Sequence, residues 1–149
     1  MDAPHTAAPL PLSLLALLGF AGWTFLLLIV AVGGHRWISI ITGRAQIASF
    51  SATAAEGPGW YRRAMRAHAN CVENLPVFGA VILVAAFLGI RDAAIDAFAL
   101  AVLVARVAQS TTHVVFEQTN LVVSFRFAFF TIQLAAILAI GIAIPAALR

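Results

Sequence analysis

Apolar positions dominate four stretches of the chain, roughly Leu12–Gly34, Cys71–Ile90, Ala93–Phe116 and Leu121–Leu148. Each runs about 20 residues or more, the length an α-helix needs to cross a hydrocarbon core of about 30 Å. Backbone groups in lipid have no water to bond, so they must satisfy one another within a helix or a closed barrel. Segments this long and this uniformly apolar read as helices. The pattern predicts an all-α membrane protein, a single domain of four transmembrane helices over about residues 12–36, 60–90, 93–116 and 120–148. The second helix begins early because "WYRRAMRAHAN", Trp60–Asn70, contains no breaker after Pro58-Gly59. The connections are unequal: a long loop over about residues 37–59, then tight turns at Arg91-Asp92 and at Glu117–Asn120.

Polar positions interrupt the helices in an ordered way. Arg62, Arg66, Asn70 and Glu73 recur at helical spacing on the second helix, and Arg106, Gln109 and His113 do so on the third. Arg126 and Gln133 lie two turns apart on the fourth. Turn positions also set depth. Centring an antiparallel hairpin on Arg91-Asp92 brings Glu73 level with Ser110 and Asn70 level with His113. Centring the next on residues 117–120 brings Arg126 level with Thr111. Asn70, Glu73, Gln109, His113 and Arg126 thus fall in one slab near one edge of the hydrocarbon. Charged groups facing lipid cost several kcal/mol, so these stripes are expected to face one another or a wet cavity. Arg106 and Glu73 are candidates for a buried ion pair, whereas Arg62 and Arg63 read as headgroup-facing.

Composition sharpens this picture. Of 149 residues, 62% are hydrophobic and only 10% are charged, against about 25% charged in a soluble domain. Mean hydropathy is +0.99. The basic residues are all arginine and lie scattered among apolar runs, which excludes a nucleic-acid-binding patch. A single cysteine, Cys71, excludes an internal disulfide. His5, His35, His68 and His113 never pair at metal-ligand spacing, so no metal site is expected. The first residues lack the basic region of a cleaved signal peptide, so the first helix is expected to stay in place. Arg36, Arg44, Arg62, Arg63 and Arg66 cluster around the long loop, while the other side has Asp2, Arg91 with Asp92, Asp96, and Arg149. The positive-inside bias predicts a cytoplasmic loop with both termini outside. The arginine-only, alanine-rich composition points to a bacterial inner membrane.

The segment "RAHANCVENLP", Arg66–Pro76, resembles the signature of the MAPEG family, membrane-associated proteins in eicosanoid and glutathione metabolism. The family pattern Arg-Ala-x-x-Asn-x-x-Glu-x-x-Pro is met by Arg66, Ala67, Asn70, Glu73 and Pro76. "IITG" at Ile40–Gly43, "ARVAQ" at Ala105–Gln109 and Arg126-Phe127 add to the likeness. The resemblance implies a left-handed four-helix bundle assembled as a homotrimer, with glutathione between subunits near the cytoplasmic face. It assigns Arg66, Asn70 and Glu73 to the second-helix part of that site, Arg106 to the third-helix part, and Arg126 to the thiol. Ala69, Gln109 and His113 depart from several glutathione-using members, which carry Arg, His or Tyr there.

The expected chemistry follows from the ligand. Glutathione carries two carboxylates, an ammonium and a thiol. Arginines bind carboxylates in bidentate fashion, and Glu73 can take the ammonium. Arg126 would favour the thiolate, the nucleophilic form, and His113 or Ser124 would donate a hydrogen bond to it. With Arg66, Asn70, Glu73, Arg106 and Gln109 holding glutathione, the expectation is a transferase and/or peroxidase acting on lipophilic electrophiles. The alternative is a non-catalytic bundle that binds lipid or a partner. A proton-coupled transporter would need a deeply buried acid, and Glu73 lies near the interface.

Overall fold

The computed structural model describes residues 9–50 and 56–149. Asp2 and His5 lie outside the described residues, as does part of the first loop. Four helices are long and apolar enough to cross a membrane: α1 (Leu12–Ile41), α2 (Gly59–Phe87), α3 (Ala93–Val115) and α4 (Asn120–Ala146). No strand occurs among the described residues. The chain is an all-α membrane protein built on four spanning helices.

Local chemistry sets the helix ends. α1 continues five residues past the expected stop near 36, with a π-helical stretch at Leu27–Gly33. Gly33-Gly34 does not break it, and the hydroxyls of Ser39 and Thr42 bond back to the carbonyls of His35 and Ile38, at 2.8 and 2.7 Å. α1 stops where Gly43 takes a left-handed φ of 69°, with Arg44 N donating to Ser39 O at 2.9 Å and Gly43 N to Ile40 O at 3.0 Å. The same two-bond cap closes α2. Gly89 has φ 68°, Ile90 N donates to Ala85 O at 3.0 Å, and Gly89 N donates to Ala86 O at 3.1 Å. α2 therefore ends at Phe87, short of the expected residue 90. Asp92 caps the start of α3 by accepting from Ala94 N at 2.6 Å, and Thr119 caps α4 by accepting from Val122 N at 3.3 Å.

The interior is a slim apolar core. Phe20 and Phe78 stack tilted at 5.6 Å between centroids, beside Ile82, Ala99, Val102 and Ile140. The outside is apolar as well, with Phe87 at 91% exposure and Ile41 at 79%. Large apolar side chains pointing outward all along the helices match a lipid surround. α3 packs most extensively on α4, and α1 lies against both α2 and α3.

α1 and α3 run parallel in near-constant register. The Ser13 amide meets the Asp96 carboxylate at 2.7 Å, and the α1 backbone at Gly19 passes against the Leu103 side chain. Asp96 and His113, seventeen positions apart on α3, are separated by about 26 Å of helix rise. The hairpin end of the bundle carries Asp96, and the loop end carries His113.

Candidate functional site

The contacts agree with the levels expected from the turns. Cys71 Sγ lies 3.5 Å from Ser110 Oγ, two positions from the expected pairing of Glu73 with Ser110. Arg126 meets the residues on either side of Thr111: its guanidinium is 2.6 Å from His113 Nε2, and its carbonyl accepts from Gln109 Nε2 at 3.1 Å. Arginine has only donors, so it donates to Nε2 and leaves the ring proton on Nδ1.

A cavity of about 760 Å³ opens at the loop end of the bundle. Arg62, Arg63, Arg66, Asn70, His113 and Arg126 line it, and among the described residues no acid does. Helical spacing on α2 points the first three arginines into it. Arg63 is further fixed by donating from Nε to the Val114 carbonyl at 3.2 Å, near the end of α3. Arg62 and Arg63, expected at the headgroups, are thus part of the cavity wall. The signal for Arg63 was its spacing of three residues from Arg66, which places it on the flank of the same stripe.

A second cavity of about 330 Å³ shares Asn70 and Arg126 with the first. Glu73, Asn74 and Gln109 form its polar wall, and Val123, Phe127 and Phe130 its apolar wall. Asn74 Nδ2 donates to the Asn70 carbonyl at 2.7 Å, which ties these residues together on α2. Glu73 itself is exposed on the helix flank.

Two sequence-expected residues are elsewhere. Arg106 is 1% exposed inside the bundle, its guanidinium 5.4 Å from the centre of the Phe20 ring, and it lines neither cavity. Its Nε and Nη2 have no hydrogen-bond partner, Glu73 included. The shared stripe with Gln109 and His113 was right in spacing. One turn nearer the middle of the membrane, however, the same face meets Phe20 of α1 instead of an opening. Ser124 is exposed, and its hydroxyl donates to the Asn120 carbonyl of its own helix at 2.9 Å, away from both cavities.

Gln133, two turns beyond Arg126, was legible as a stripe position only. It is 1% exposed and donates from Nε2 to Gln109 Oε1 at 3.0 Å. Gln109 therefore commits both ends of its amide to contacts with α4.

Four spanning helices, a polar layer at one end and the Arg66–Pro76 pattern on α2 agree with the comparison to family models: the MAPEG family model matches residues 12–145. The chain belongs to the MAPEG family. No curated protein and no solved structure matched the chain. As a MAPEG protein it is a multi-pass membrane protein of the family associated with glutathione and eicosanoid metabolism. The family match covers all four helices, including every residue that lines the two cavities.

Proposed function

We propose that this MAPEG protein is a glutathione-dependent membrane enzyme, a transferase and/or peroxidase acting on lipophilic electrophiles. One observation carries the reading: a cavity of about 760 Å³ with four arginines and, among the described residues, no acid shares Asn70 and Arg126 with a smaller cavity that has an aromatic wall. The donor set suits a peptide with two carboxylates, since guanidinium groups pair with carboxylates through two parallel hydrogen bonds. Glu73 in the adjoining cavity is the matching acceptor for an ammonium.

Glutathione, when bound, supplies a thiol that reacts as its thiolate. Arg126 brings a positive charge to the wall that the two cavities share and favours that anionic form. His113 keeps the guanidinium oriented by accepting from it at Nε2. Phe127, Phe130 and Val123 exclude water and offer an apolar surface to a substrate arriving from the bilayer. Ser124 and Arg106 line neither cavity and have no part in this scheme.

The proposal includes homotrimeric assembly in a bacterial inner membrane, with the long loop cytoplasmic and both termini outside. Arg66 and Glu73 are exposed on the flank of a spanning helix, and a neighbouring copy would spare such groups from lipid.

Calorimetric titration of glutathione into the detergent-solubilised protein, beside Arg66→Ala and Glu73→Ala, tests the binding. A thiolate absorbance near 240 nm on adding glutathione, lost in Arg126→Ala, tests the chemistry. Absence of both heat and band in the wild type refutes the proposal. The second reading, a non-catalytic bundle that binds lipid or a partner, is favoured by Gln109, whose amide is committed to contacts with α4. It predicts no rise in thermal stability with glutathione, whereas a specific ligand stabilises by mass action.

A further inference from the structure

Among the described residues, three side-chain hydrogen bonds cross between α3 and α4, and they form one chain. Gln133 Nε2 donates to Gln109 Oε1 at 3.0 Å, Gln109 Nε2 donates to the Arg126 carbonyl at 3.1 Å, and the Arg126 guanidinium reaches His113 Nε2 at 2.6 Å. We propose that Gln133 is a positioning residue. Acting through Gln109, it fixes the rotation of α4 against α3, which the short turn leaves open, and so holds the Arg126 guanidinium against His113 in the arginine-rich cavity.

The surroundings explain why such a device is needed. The hydroxyls of Ser124 and Thr131 bond to carbonyls of α4 itself, at 2.9 and 3.0 Å, and give no hold on α3. Next to Gln133 on α4 are Phe129, Phe130, Ala136 and Ile137. Between helices in lipid such side chains bring no net hydrophobic drive toward one rotation of α4, because lipid tails are equally apolar. Turning a helix by the angle of one residue swings a group through about 100°. A hydrogen bond at 3.0 Å fails well before such a displacement is complete. Gln133 is also anchored on its own helix, donating to the Phe129 carbonyl at 3.0 Å, so its amide is held when it meets Gln109. It is 1% exposed and lines neither cavity, so its effect on a ligand there passes through Arg126.

The role of Arg126 toward the thiol rests on the function proposed above, but the positioning itself is read without glutathione. Histidine-selective 15N NMR of the full-length protein in micelles, with His113 assigned from His113→Phe, reports the bond from Arg126 to Nε2. In Gln133→Met, the expected result is a displaced His113 Nε2 resonance with His35 and His68 unmoved. Gln133→Asn, one methylene too short to reach Gln109, is expected to give the same displacement and serves if the first variant fails to fold. An unchanged His113 resonance in a folded variant overturns the proposal, even if the melting temperature falls. In the glutathione complex, the apparent pKa of the bound thiol is expected to rise by about one unit in these variants, a tenfold change in thiolate, with glutathione affinity retained. If the wild type binds no glutathione, the proposed function falls while the His113 resonance still decides the role of Gln133.

Discussion

Removing the carboxylate of Asp96 tests how α1 is capped. α1 starts at Leu12 after Pro11, which has no side-chain acceptor for the amides of the first turn. The Pro11 carbonyl takes the amides of Leu14 and Leu15, at 3.1 and 3.2 Å. The amide of Ser13 is bonded by Asp96, 83 residues away on α3, at 2.7 Å. A hydrogen bond to a charged group contributes about 1.5–3 kcal/mol, and an anion at a helix N-terminus adds about 0.3–1 kcal/mol. Asp96 is only half-buried, so solvent screening reduces the total. Asp96→Ala is expected to cost about 1–2 kcal/mol, and Asp96→Asn about half of that because the acceptor survives without its charge. At this chain length, the Ala variant should melt about 3–6 °C lower in detergent micelles. Hydrogen exchange gives the local readout: the Ser13 amide should exchange faster in Asp96→Ala, while amides in the middle of α4 keep their protection. Unchanged Ser13 exchange would refute the reasoning even if the melting temperature dropped.

Two further expectations concern single contacts. Gly89→Ala forces an alanine into a left-handed φ of 68° with no neighbouring atom within 4 Å of the added methyl. Its cost should therefore be conformational alone, about 1–2 kcal/mol by chemical or thermal unfolding. Tyr61→Phe removes the acceptor of the Arg36 Nε bond at 2.7 Å, at a ring that is 1% exposed. A loss of about 1–2 kcal/mol is expected, and an unchanged melting temperature would show that Arg36 finds another partner at no cost.

The sequence by itself determined the four spanning helices, because apolar runs of that length have few alternatives in lipid. The helix ends were less legible: α1 runs five residues past its expected stop and α2 ends before residue 90, although the residues that close them, Gly43 and Gly89, act through bonds to near neighbours in the chain. Which polar residues lie level with one another was legible too, because a short turn fixes which residues of two antiparallel helices are level. Tertiary structure decided what each polar residue faces. Helical periodicity gives the angle between residues of one helix but not the rotation of that helix against its neighbours. Gln109, His113 and Arg106 share one stripe, yet Gln109 and His113 line cavities while Arg106 is enclosed against Phe20. Asp96 looked like a surface charge and became the cap of another helix, and Gln133 became the link behind Arg126. Each of those assignments depends on residues far apart in sequence meeting at one point, and only the packing of the helices against one another fixes that.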